Sequence, residues 1–96
     1  MAPTAPESRT LDGAAGAAPV VTVRYWAAAR AATGTDSDAR SGTTVGEVVD
    51  AAIAAHPGLG RVAQVATFLL DGRKVARDVP VDDGATVEVL PPFAGG

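Results

Sequence analysis

Thr44-Val45-Gly46-Glu47-Val48-Val49-Asp50-Ala51-Ala52-Ile53 is the stretch on which the fold turns. Its threonine and glutamate stand three residues apart, the spacing of a capping box, in which each side chain satisfies the other's free N–H. Val45, Val48, Val49, Ala52 and Ile53 then fall on one stripe of a helix, spaced as a single buried face. Pro57-Gly58 ends the helix. An apolar stripe needs a surface to cover it. The rest of the chain offers mainly short β-branched runs, so the stretch predicts one main helix laid across a sheet.

Upstream, Val20-Val21-Thr22-Val23-Arg24-Tyr25-Trp26 alternates and is β-branched and aromatic, which predicts a strand with Val21, Val23 and Tyr25 on the core face. Residues 27–33 are alanine-rich and predict a short helix that Gly34 closes. Residues 36–42 are polar and predict a short, exposed strand pairing back on the first.

Downstream, residues 59–65 leave a helical turn as one option. Thr67-Phe68-Leu69-Leu70, Asp71-Gly72 and Arg73-Lys74-Val75 read as a hairpin with a two-residue turn. Residues 79–81 are too proline-broken for a central strand, and Asp82-Asp83-Gly84 reads as a turn. Thr86-Val87-Glu88-Val89-Leu90 is the last strand, with Val87 and Val89 inward. The first and last strands are the most apolar, which places them side by side and parallel at the sheet centre. The expectation is an α+β, β-grasp (ubiquitin-like) fold. It has a mixed sheet of four to five strands with one main helix packed across it.

The last strand runs into Pro91-Pro92-Phe93-Ala94-Gly95-Gly96. Each proline fixes φ and lacks an N–H, so the exit from the fold is stiff. Two glycines then make a tip without side chains, able to enter a narrow slot. Such an ending suits a delivery arm whose reactive atom is the carboxyl carbon of Gly96. Six extended residues reach at most about 20 Å, enough to enter a partner's buried site.

Composition narrows the chemistry. The 96 residues suggest one small domain, with 47% hydrophobic but only 4% aromatic residues, hence a small aliphatic core. Residues 1–19 hold few large apolar side chains and are expected to form a disordered tail, leaving residues 20–96 as the domain with a flexible arm at 91–96. The net charge of −3 argues against a nucleic-acid partner. The chain has no cysteine, which excludes disulfides and a thiol nucleophile, and its one histidine gives no metal-ligand spacing. No apolar run matches a membrane helix, and the start lacks the basic region of a secretory signal. No membrane partner and a cytoplasmic location are therefore expected.

Other polar residues carry weaker signals. Asp82-Asp83 is better explained by a turn than by paired catalytic carboxylates. His56 sits at a helix C-terminus, where positive charge is favoured, with no catalytic partner evident. Lys74 belongs to a charged hairpin, read first as a solvated turn and second as a partner contact.

Four features together resemble the MoaD/ThiS sulfur carriers, closest to the branch that supplies the molybdopterin synthase small subunit. Tyr25-Trp26-Ala27-Ala28-Ala29-Arg30-Ala31-Ala32-Thr33-Gly34 is similar to the family's aromatic-aromatic-Ala-x-x-Arg-x-x-x-Gly segment. Thr44-Val45-Gly46-Glu47-Val48 opens the main helix as in the family. The Asp71-Gly72 and Asp83-Gly84 turns fall in the matching places. The ending is similar to the family's Pro-Pro-x-x-Gly-Gly. The resemblance covers residues 20–96; the tail before Val20 departs from it.

The resemblance implies a carrier rather than an enzyme acting alone. An E1-like adenylating enzyme would use ATP to make an acyl-adenylate on Gly96. A sulfur donor protein would displace AMP to leave a thiocarboxylate. The molybdopterin synthase large subunit would receive the arm in its active site, and no cofactor or metal would be bound by the carrier itself. Pro91, Pro92, Phe93, Ala94, Gly95 and Arg30 would meet the partner, with Phe93 as an anchor in its groove or packed on its own sheet, and Arg30 at a partner or near the last strand. An exposed salt bridge is the plainer role for Arg30. Thiamine, cysteine and other sulfur routes use the same kind of arm. A ubiquitin-like modifier joined to lysines through Gly96, and a binding module with an inert tail, are the rivals.

Overall fold

The computed structural model describes residues 18–92. The arm residues Phe93, Ala94, Gly95 and Gly96 lie outside the described residues, as does most of the expected N-terminal tail.

The elements run β1 (Val20–Tyr25), α1 (Ala28–Thr33), β2 (Ser37–Ser41), α2 (Val45–Ala55), α3 (Leu59–Ala63), β3 (Thr67–Leu70), β4 (Arg73–Val75) and β5 (Thr86–Leu90). They build one five-stranded sheet in the order β2-β1-β5-β3-β4. β1 and β5 pair in parallel, and every other pair is antiparallel. The two most apolar strands are thus neighbours inside the sheet, where both their edges are hydrogen-bonded. Val21, Val23, Tyr25, Val87 and Val89 all point inward and are buried. This is the mixed β-grasp sheet that the strand pattern predicted.

The stripe of α2 covers that face. Val45, Val48, Val49 and Ala52 are wholly buried, and Ile53 packs at the margin. The N-terminal N–H groups of α2 are all accounted for, as buried backbone requires. Val45 donates to the Val79 carbonyl at 3.0 Å and Gly46 to the Arg77 carbonyl at 2.8 Å. Glu47 N–H donates to Thr44 Oγ1 at 3.1 Å, and Val48 N–H to the Thr44 carbonyl at 3.0 Å.

Here the capping box differs from expectation. The Glu47 carboxylate reaches past Thr44 and accepts from Thr43, both backbone N–H (2.8 Å) and hydroxyl (2.7 Å). Thr44 is held instead in an antiparallel bridge with Pro80. The Thr43 N–H, and then its hydroxyl, hold the Glu47 carboxyl below the usual carboxylate range.

Residues 59–65 resolve into the short α3. Leu59, wholly buried, is among the largest side chains in the core. The Asp71-Gly72 turn has φ of +49° and +86°, the left-handed pair of a type I′ hairpin. Asp71 also fastens the turn to β5, accepting from Thr86 N–H at 3.0 Å and donating its own N–H to the Thr86 carbonyl at 2.9 Å. Asp83 accepts from the Val20 N–H at 2.8 Å, and the Gly84 N–H donates to the Val20 carbonyl at 2.8 Å. The paired aspartates are therefore turn residues: the Asp82 carbonyl accepts from the Ala85 N–H at 3.1 Å, and Asp83 ties the turn to the start of β1.

Candidate functional site

β5 carries the chain from the sheet interior to its margin. Beyond Leu90, Pro91 is buried and Pro92 is exposed, so the arm is rooted at one end of the sheet. β1 runs parallel to β5, so the end of β1 arrives at the same place. Tyr25 pairs with Val89, and Trp26 N–H donates to the Val89 carbonyl at 3.3 Å. The side chain of Trp26 is 40% exposed.

Trp26, Ala27, Glu88, Leu90 and Pro91 line a groove of about 270 Å³ at the root of the arm. Its surface is almost wholly apolar. Ala27 has φ +48°, a left-handed backbone that is rare for alanine, and it turns the chain out of β1 into α1. On the open face of the sheet the Arg24 guanidinium lies 4.8 Å from the centre of the Trp26 ring. Arg24 also sits opposite Glu88 in register, with 3.9 Å between the charged groups. Glu88 is followed across the sheet by Leu69 and Lys74. Charged groups therefore border an apolar strip.

The structure brings Pro91 into the groove but not Arg30. The Arg30 guanidinium pairs with Asp36 at 3.2 Å, on an exposed surface. Its carbonyl accepts from the Gly34 N–H that closes α1, at 2.8 Å. Phe93, Ala94, Gly95 and Gly96 lie outside the described residues. The groove wall of Trp26, Ala27 and Leu90 was missed as a site in the sequence. Its signal was available: in the alternating run Val20–Trp26 the tryptophan falls on the face opposite Tyr25, away from the core.

A second cluster was also missed. Asp38 Oδ2 accepts from Tyr25 Oη at 3.0 Å and from His56 Nε2 at 2.7 Å, with Arg40 Nη2 at 3.3 Å. The Tyr25 and His56 rings meet edge to face at 6.0 Å. His56, which had no evident partner, is thus tied to β2. Asp38 and Arg40 lie opposite Val23 and Val21 in the β1–β2 ladder, so they share the inward face. Burial alone would raise the Asp38 carboxyl. Hydrogen bonds from His56 and Tyr25, with the charges of Arg40 and His56, outweigh that and hold it below its usual value. Burial, then the bond to Asp38 and its charge, push the Tyr25 phenol well above its ordinary range. The cluster braces the end of α2 against β1 and β2. Among the described residues no three histidine, aspartate or glutamate side chains gather as a metal site, and no helix is long and apolar enough to cross a membrane.

A model of the ThiS family matches residues 23–96. No curated protein sequence matches the chain. Among solved structures, the chain is similar to small archaeal modifier protein 1 from Methanosarcina acetivorans, with TM-score 0.77 and 23% identity over 84% of this chain and 100% of that one. It is similar to a chain of the Amycolatopsis orientalis BexX/CysO complex, with TM-score 0.70 and 28% identity over 79% and 99%. It is also similar to a chain in the complex of subunits 1 and 2 of the molybdopterin-converting factor from Helicobacter pylori 26695. There the TM-score is 0.61 and the identity 22%, over 80% and 99%.

Proposed function

The chain belongs to the ThiS family of ubiquitin-like sulfur carriers, and from that premise we propose that it carries sulfur on Gly96 as the small subunit of a molybdopterin synthase. The observation that carries this reading is that the family match runs to residue 96 and so takes in the Pro91-Pro92-Phe93-Ala94-Gly95-Gly96 arm that β5 launches.

The chemistry follows from the carboxylate. Its own leaving group would be oxide, so it must first be activated. A carboxylate oxygen of Gly96 attacks the α-phosphorus of ATP on an E1-like enzyme, and pyrophosphate leaves. A persulfide on the donor protein adds to the acyl carbon, and AMP leaves with the electron pair of the C–O bond. A thiol then cleaves the S–S bond of the resulting acyl disulfide, leaving the thiocarboxylate on Gly96 and a disulfide on the donor side. The net change is one oxygen exchanged for sulfur. The partners supply the catalytic groups. This chain supplies the stiff root at Pro91-Pro92, which reduces the entropy lost when the arm docks. It also supplies Phe93 as an anchor in the partner's groove.

The H. pylori complex sets a chain of this fold beside a second subunit, which supports a large-subunit partner here. The higher identity with a chain of the BexX/CysO complex favours a second reading, delivery of sulfur to a different biosynthetic enzyme.

Intact mass of the chain after incubation with ATP, the activating enzyme and the sulfur donor tests the core of the proposal. The expected result is the mass gain of one oxygen-to-sulfur exchange, localised to Gly96. A competent activating system that leaves the mass unchanged overturns it. Adding the molybdopterin synthase large subunit and the sulfur-free pterin precursor then separates the two readings. Dithiolene formation supports the first, and its absence with a thiocarboxylated carrier supports the second.

A further inference from the structure

We infer that Phe93 docks in the groove of its own sheet, lined by Trp26, Ala27, Glu88, Leu90 and Pro91, whenever no partner holds the arm. The groove's size points to a side chain. At about 270 Å³ it falls below the roughly 300–1,000 Å³ of small-molecule sites, yet it has room for one aromatic ring. Its lining asks for an apolar occupant. Trp26 is 40% exposed and Pro91 forms a buried wall, while the bordering charges Arg24 and Glu88 answer each other at 3.9 Å.

The occupant follows from the connectivity. Phe93 is two residues past Pro91, so its Cα stands within about 8 Å of the groove wall. A tether that short gives an effective concentration in the millimolar range or above, with which a free partner must compete. The two prolines also set direction. Proline favours the polyproline II helix, which has about 3 residues per turn and so returns Phe93 to the side of Leu90, itself a groove residue. Few bonds are left to order between a fixed Pro91 and the ring, so burial meets little opposing entropy.

Docking of Phe93 holds the Gly95-Gly96 tip near its own domain. A partner that covers Trp26 displaces the ring and frees the arm, so release is coupled to recognition by the sheet end. This inference does not rest on sulfur chemistry and would hold equally for a protein modifier.

Trp26 is the only tryptophan, so it reports on the groove directly. The experiment compares the full chain with Phe93→Ala by tryptophan emission, acrylamide quenching and NOE spectroscopy, in dilute solution without partners. The expected results are a red shift and stronger quenching of Trp26 in Phe93→Ala, with NOEs from the Phe93 ring to Trp26 and Leu90 in the parent. Identical emission and quenching in both chains, with no such NOEs, overturns the inference. So does a Trp26 signal that changes with protein concentration, which assigns the groove to a second copy. The substitution lies beyond the last strand, so circular dichroism should be the same for both chains.

Discussion

Asp38 collects three donors on one side of β2, and the pH dependence of the molecule follows from that. Tyr25 is the only tyrosine, and its phenol stays neutral far above pH 10, the ordinary value, because burial and the bond to Asp38 disfavour the anion. An absorbance titration should show no phenolate until the chain unfolds. The folded value lies above the unfolded one, so the stabilisation is complete below about pH 10 and declines as pH rises beyond it. Asp38 has the opposite sign. Its folded value lies below the unfolded one, so its contribution is complete above about pH 4 and is lost as pH falls through the depressed value. Gly42 provides a test of packing. A Cβ there would meet the Val48 backbone nitrogen at 2.8 Å and the Glu47 Cβ at 3.0 Å. Gly42→Ala should destabilise by about 1–3 kcal/mol in chemical denaturation, because the rigid start of α2 must move.

α2 illustrates what an element owes to its neighbours. The Thr44 hydroxyl caps Glu47 N–H, and Thr44→Ala should cost about 1 kcal/mol in a denaturation midpoint shift at unchanged m-value. Two further N–H groups of the first turn depend on carbonyls of Arg77 and Val79, far away in the sequence. The Thr-x-x-Glu pattern was legible as a helix start because the cap is local. The path of the Glu47 carboxylate to Thr43 was not, because the Thr44–Pro80 bridge sets it. The same split runs through β2. Its polar composition predicted a short, exposed strand pairing back on β1. Only the register, Val23 to Asp38 and Val21 to Arg40, turned two of those polar residues inward. His56 had a visible place at a helix end but no visible partner, since Asp38 is brought to it by pairing across β1.

At the scale of the whole molecule, the packed core is built without the residues proposed to deliver sulfur. The core lies between the sheet and α2, with Leu59 of α3 in its interior. Removing Gly95 and Gly96 should therefore leave the thermal midpoint within measurement error while abolishing sulfur loading, read by calorimetry and intact mass on the same sample. The amino-acid sequence alone determined the strands, the main helix and the place of each turn. Those depend on local backbone preference and on periods of about 2 and 3.6 residues, which the order of side chains states directly. The tertiary structure alone decided that Trp26, Ala27, Leu90 and Pro91 form one groove, that Arg30 turns to Asp36, and that Tyr25, Asp38, Arg40 and His56 meet. Each of the groove and the Asp38 cluster joins residues far apart in the chain. Their meeting is set by which strands become neighbours and in what register, a choice made by burial of the whole core rather than by any local segment.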